Sequence, residues 1–150
     1  MKIAIGADHG GVELKAEVEK YLESQGHEYR DFGAFSTAAV DYPDIAIQVA
    51  EAVKNGEADR GILLCGTGIG MSIAANKVPG IRCALLSDVY SAKCTRDHND
   101  ANVMAMGARV IGPGLALEIV DVYLNKDFSN GERHVNRLKK IAEIEKKYNK

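Results

Sequence analysis

The chain has 150 residues, 46% of them hydrophobic and 27% charged, with a formal net charge of −2. That length and apolar share suit one core, and no Pro, Ser or charge run divides it, so residues 1–150 are expected to form a single domain. The near-neutral balance gives no global pull toward nucleic acid or an anionic membrane, and the apolar start Met1 to Gly6 is too short for a signal peptide. A small-molecule partner and a cytoplasmic location are the expectations.

Strand-like apolar runs at Ile3 to Ile5, Tyr29 to Phe32, Ile62 to Cys65, Cys83 to Leu86 and Val103 to Met106 alternate with helical patterns. That alternation predicts an α/β fold, a Rossmann-like three-layer sandwich around a five-stranded parallel sheet. The first helix is expected to bury Leu14, Val18, Tyr21 and Leu22 and to stop at Gly26. The second, Asp44 to Lys54, buries Ile45, Val49, Ala52 and Val53 in the same way. Shorter helical patterns follow at Met71 to Lys77 and Val89 to Thr95, and two helices close the chain, Leu115 to Leu124 and about Glu132 to Tyr148, around the turn Ser129-Asn130-Gly131. The last helix is polar outside the stripe Val135, Leu138, Ile141 and Ala142, so it is either a solvated surface helix or one that reaches a second subunit.

The richest stretch is Gly61-Ile62-Leu63-Leu64-Cys65-Gly66-Thr67-Gly68-Ile69-Gly70-Met71-Ser72. A buried strand ends on a thiol and enters alternating glycines at a strand-to-helix turn, where free backbone N–H groups and the helix N-terminus favour an anion. The same field favours a thiolate, which makes Cys65 a possible base or nucleophile, whereas the plain alternative is a small buried hydrophobe. Cys83 within a strand and Cys94 within a helix are expected to be structural, and three cysteines without metal-type spacing are expected to stay reduced. A dinucleotide loop is the rival for Gly66, Gly68 and Gly70, with Asp88 as its ribose-binding acid. Met71 occupies the place that fingerprint gives to its third glycine, and the loop follows the third strand instead of the first.

Ligands of an open parallel sheet lie at the carboxyl ends of its strands. Asp8 and His9 follow the first strand, Cys65 to Gly70 the third and Arg109 the fifth, so these residues can share one crevice. His98 lies in a polar segment after the fourth helical pattern, where an exposed turn histidine is the plain alternative, and with Asp8 and His9 it could be imagined as a metal set. Arg133 and Arg137 are four apart, one helical turn, and can clamp a phosphate or simply continue a solvated basic face.

Five motifs in order carry a resemblance across the whole chain: Gly6-Ala7-Asp8-His9-Gly10-Gly11, Val40-Asp41-Tyr42-Pro43-Asp44, Cys65 through Lys77, Arg96 through Asn102, and Gly131-Glu132-Arg133-His134 with Arg137. The chain resembles the type B ribose-5-phosphate isomerases, a family that includes galactose-6-phosphate isomerase subunits. One departure is Glu132, where many members have glycine. The resemblance implies an aldose-ketose isomerase of the pentose phosphate pathway that interconverts D-ribose 5-phosphate and D-ribulose 5-phosphate through a cis-enediolate, without metal or organic cofactor. It implies Cys65 as base, Thr67 as the group that moves a proton between the two oxygens, and His98 as the ring opener. It also implies that Asp8, Tyr42 and Asn99, with Gly66, Gly68, Ile69 and Gly70, bind the sugar and that His9, Arg109, Arg133 and Arg137 hold the phosphate. A homodimer or dimer of dimers with shared sites is implied, its C-terminal helix extending to the partner. The alternatives are a six-carbon phosphosugar isomerase, for allose 6-phosphate or galactose 6-phosphate, and a non-catalytic phosphosugar or nucleotide sensor.

Overall fold

The computed structural model describes residues 1–149. Five strands, β1 (Lys2–Ala7), β2 (Glu28–Asp31), β3 (Arg60–Cys65), β4 (Cys83–Leu85) and β5 (Val103–Gly107), form one all-parallel sheet in the order β2-β1-β3-β5-β4. Six helices accompany them: α1 (Val12–Ser24), α2 (Tyr42–Lys54), α3 (Ile69–Ala75), α4 (Val89–Asn99), α5 (Pro113–Asn125) and α6 (Glu132–Tyr148).

The period of two along each strand divides the core into two layers. Ile3, Ile5, Ile62, Leu64, Met104 and Met106 face one side, against Leu14, Val18 and Leu22 of α1, Ala92 of α4 and Ile119 and Tyr123 of α5. Ala4, Leu63, Cys65, Val103 and Ala105 face the other, against Val49 and Ala50 of α2 and Met71 and Ala75 of α3. All six residues of β3 are buried because helices cover both faces, which is why that strand reads as a continuous apolar run. The expected sandwich is therefore the observed one. No helix is long and apolar enough to cross a membrane among the described residues.

The order of the strands reverses between β1 and β3: the chain leaves β1 for β2 on one side and returns to β3 on the other. A crevice opens at such a switch point, outside the carboxyl ends of the two strands. Their register, Ala7 opposite Leu64 and Cys65 opposite Gly107, brings the loops after β1, β3 and β5 to one level.

Four helices differ from the expected spans, with α3 running Ile69–Ala75 instead of Met71 to Lys77 and α5 Pro113–Asn125 instead of Leu115 to Leu124. α2 begins at Tyr42 because Pro43, with its fixed φ, suits the first turn. α4 continues past Thr95 to Asn99, so His98 is helical and not in a turn. The extension has no apolar period to announce it. It is held by Arg96, which donates to the Asp100 carboxylate and the Ala101 carbonyl, and by Asp100, which closes the helix at φ 44°.

A buried ionic cluster under α1 sets a pH dependence. Lys15 is 3% exposed, and its ammonium is held by the Asp31 carboxylate at 2.6 Å and the Ala34 carbonyl at 2.8 Å. Glu19 shares the corner, and burial, followed by the hydrogen bond and charge of Asp31, pushes its carboxyl up from 4.5 to about 7, with Lys15 opposing. The folded state thus holds this proton more tightly than the unfolded chain. Its contribution is full below the unfolded value and is lost as pH rises through the folded one. Denaturation midpoints measured from about pH 5 to 8 should fall with rising pH, and Glu19→Gln should flatten that slope.

Candidate active site

Three loops meet at the carboxyl end of the sheet. After β1, the Asp8 amide donates to the Leu64 carbonyl at 3.0 Å and the Asp8 carboxylate accepts the Gly10 N–H at 2.8 Å. This tight turn sets Gly10 against the next loop, since a Cβ there would lie 3.2 Å from the Gly66 nitrogen. After β5, the amides of Ala108 and Arg109 donate to the carbonyls of Cys65 and Gly66 at 2.8 and 3.0 Å. The Arg109 side chain crosses Gly66, where a Cβ would lie 3.3 Å from its Nη1.

The loop after β3 surrounds the thiol. Cys65 is 5% exposed, and its Sγ accepts the Gly68 N–H at 2.9 Å. Gly68 makes this turn possible at φ 80°, and a side chain there would strike the Met106 backbone at 2.8 Å. Thr67 is exposed and its Oγ1 accepts the Ile69 N–H at 3.2 Å. The N–H groups of Gly66, Thr67 and Gly70 donate to no protein group among the described residues, so three amides beside the thiol are free for a ligand. Tyr42, the first residue of α2, lies flat over Gly70, where a Cβ would come within 2.6 Å of the ring. Ile69 is exposed at the same lip.

To one side the crevice widens into a cavity of about 630 Å³ lined by His9, Glu13, Thr37, Arg109 and Ile111. The His9 Nδ1 accepts the Val40 N–H at 3.4 Å, which leaves its Nε2 free for a ligand. The Arg109 guanidinium and the His9 imidazole therefore face one space with room for a phosphate.

The remaining predicted residues lie elsewhere. α4 starts at the carboxyl end, where Asp88 caps it by accepting the Ser91 N–H at 2.6 Å, and runs back to the amino end. There the Asn99 carbonyl accepts from Arg82, the residue before β4, at 3.0 Å. α6 begins beside this end, with the Ser129 hydroxyl donating to the Asp97 carbonyl at 2.6 Å and the rings of His98 and His134 stacked 4.3 Å apart. His98, Asn99, Arg133 and Arg137 thus form a second exposed group, separated from their own Cys65 by the length of the sheet, roughly 16 Å for five residues. Glu132 is the first residue of α6, where a carboxylate complements the helix dipole.

The chain matches the family described as Ribose/Galactose Isomerase over residues 3–141. It belongs to that family. It is 57% identical to the ribose-5-phosphate isomerase B of Clostridium thermocellum, with a TM-score of 0.97 and 99% of each chain covered. It is 50% identical over 148 residues to the ribose-5-phosphate isomerase B of Escherichia coli strain K12, covering 99% of each. Its identity with the Listeria innocua ribose-5-P isomerase B is 51% over 147 residues, covering 98% of this chain and 99% of the relative.

In this member of the Ribose/Galactose Isomerase family the dinucleotide reading of the glycine loop lacks a free acid. Asp88, the acid of that rival reading, is consumed as the α4 cap, and the bound amide holds its carboxyl below the usual range. Cys83 is buried at the start of β4, and burial pushes its thiol up to about 12. The sequence did not single out the Val40 amide on His9, the Gly131 seat of His134 or the buried Arg96 that closes α4, because each depends on contacts far apart in the chain.

Proposed function

We propose that the protein interconverts D-ribose 5-phosphate and D-ribulose 5-phosphate through a cis-enediolate, without metal or organic cofactor. The observation that carries this reading is the Cys65 Sγ at the end of β3, receiving the Gly68 N–H with the free amides of Gly66, Thr67 and Gly70 around it. Cys65 as thiolate takes the proton from C2 and returns it to C1. Thr67 passes the hydroxyl proton between O1 and O2, while the loop amides hold the enediolate oxygen, a single such donor contributing roughly 3 kcal/mol.

His98 opens the furanose by moving a proton between the ring oxygen and the anomeric hydroxyl, and Asp8 and Asn99 hold sugar hydroxyls. Tyr42 and Ile69 wall the reacting end. His9 and Arg109 hold the phosphate from one side, Arg133 and Arg137 from the other, so binding energy far from the reacting carbons positions them.

Because the two residue groups occupy opposite ends of one sheet, a complete site needs two copies of the chain. The apolar surface supports a homodimer, single or paired. Ile69, Ile73 and Leu85 are exposed beside the thiol loop, Ile73 at 59%, and α6 buries none of its residues, leaving Ile141, Ile144 and Tyr148 exposed. α6 reaching the partner subunit covers that stripe. Three unpaired cysteines suit a cytoplasmic enzyme.

The deciding experiment is incubation with ribose 5-phosphate and EDTA, following ketose formation. Ribulose 5-phosphate should appear at a rate proportional to enzyme. No ketose from ribose 5-phosphate, with ready turnover of allose 6-phosphate or galactose 6-phosphate, would assign the six-carbon substrate; binding without any turnover would make the protein a sensor.

A further inference from the structure

The ring-opening scheme gives His134 no task, yet this residue is placed with care. The His98 and His134 ring centroids lie 4.3 Å apart with 17° between the planes, the geometry of stacked rings. Their meeting is fixed by the joint between α4 and α6. The Ser129 hydroxyl and amide both donate to the Asp97 carbonyl, at 2.6 and 3.4 Å, and the Asp97 carboxylate pairs with Lys126 at 3.1 Å. Arg96, 5% exposed, ties the same corner together by donating to the Lys126 carbonyl at 3.0 Å. Behind the stack, a Cβ on Gly131 would lie 3.1 Å from the His134 Cδ2, so the glycine leaves the ring its seat.

His98 itself is exposed, and among the described residues its imidazole makes no hydrogen bond. The stack is what restrains it. We propose that His134 is a positioning residue for His98, holding the imidazole in the plane from which it moves the proton between the ring oxygen and the anomeric hydroxyl. This inference rests on the ring-opening role proposed above for His98.

Most of the charges around His134 act in one direction. Burial, then the positive charges of His98, Arg133 and Arg137, push the His134 pKa below the ordinary histidine value, against the pull of Asp97. Fixing one of three staggered χ1 wells of an exposed side chain corresponds to an effect of about three- to fivefold in the rate of the step that uses it.

Two measurements on His134→Ala, His134→Phe and His98→Asn test this. The first is turnover of ribose 5-phosphate, which enters as a furanose. The second is uptake of solvent deuterium at C1 of ribulose 5-phosphate, whose phosphorylated C5 oxygen cannot close a furanose, so that only the chemistry assigned to Cys65 is read. His134→Ala should lower the first about three- to fivefold and leave the second within about twofold, and His134→Phe, which keeps a flat ring, should restore most of the loss. Equal losses in both measurements, or none in either, would overturn the positioning role. A split in His98→Asn with none in His134→Ala would overturn it while leaving His98 as ring opener. Absence of a split in His98→Asn would instead remove the ring-opening role and the inference with it.

Discussion

Cys65→Ala is expected to lose at least about 10²-fold in turnover of ribose 5-phosphate, the low end for a positioned general base, while keeping its fold and its phosphosugar binding. Removing the thiol takes an acceptor from the Gly68 N–H, a loss of about 1 kcal/mol, which for a chain of this size lowers the melting temperature by roughly 2–4 °C. Cys65→Ser separates the two effects. Its hydroxyl can still accept that N–H, so the loop survives, but it is too weak an acid to supply the base, and turnover should fall as far as in the alanine variant. Cys94→Ala, remote from the thiol loop, should keep wild-type turnover. Steady-state kinetics with thermal unfolding checks all three variants, and a Cys65→Ala protein that retains activity would remove Cys65 from the mechanism.

Much of this architecture was legible in the residues. β3 is apolar throughout because both its faces are covered, and it ends on Cys65 and the glycines where a parallel strand meets its helix. The loops bearing Asp8, Cys65 and Arg109 meet as chain order and the carboxyl-end rule required, joined by the Ala108 and Arg109 amides. What could not be read was set by distant contacts. The last turn of α4 lacks an apolar stripe and is fixed through Arg96, so His98 read as a turn residue although it is helical. Lys15 and Arg60 look like surface charges, but Lys15 is buried on Asp31 and Arg60 on the carbonyls that end α5. Tyr42 and Gly70, 28 positions apart, pack face to face only because α2 and α3 share one side of the sheet. Spacing alone also left the Arg133 and Arg137 pair open between a clamp and a basic surface, and the clamp proposed for them, at the far end of the sheet from Cys65, rests on the proposed dimer.

His98→Asn should be as damaging with the cyclic substrate as Cys65→Ala, about 10²-fold, because an amide cannot shuttle the proton that opens the ring. The residue is exposed, so the substitution should leave stability nearly unaltered. Because His98 and Cys65 lie at opposite ends of the same sheet, their two inactive variants provide a direct measurement of the shared site. In a two-fold dimer of mixed chains, one site carries both defects and the other carries none. Random exchange makes half of the dimers mixed with one good site of two, so the mixture should recover about a quarter of wild-type activity per subunit. Mass spectrometry of the mixture establishes that subunits have exchanged. Recovery near that level is the predicted result, and exchanged but inactive dimers would show that base and ring opener act within one chain, contradicting the account.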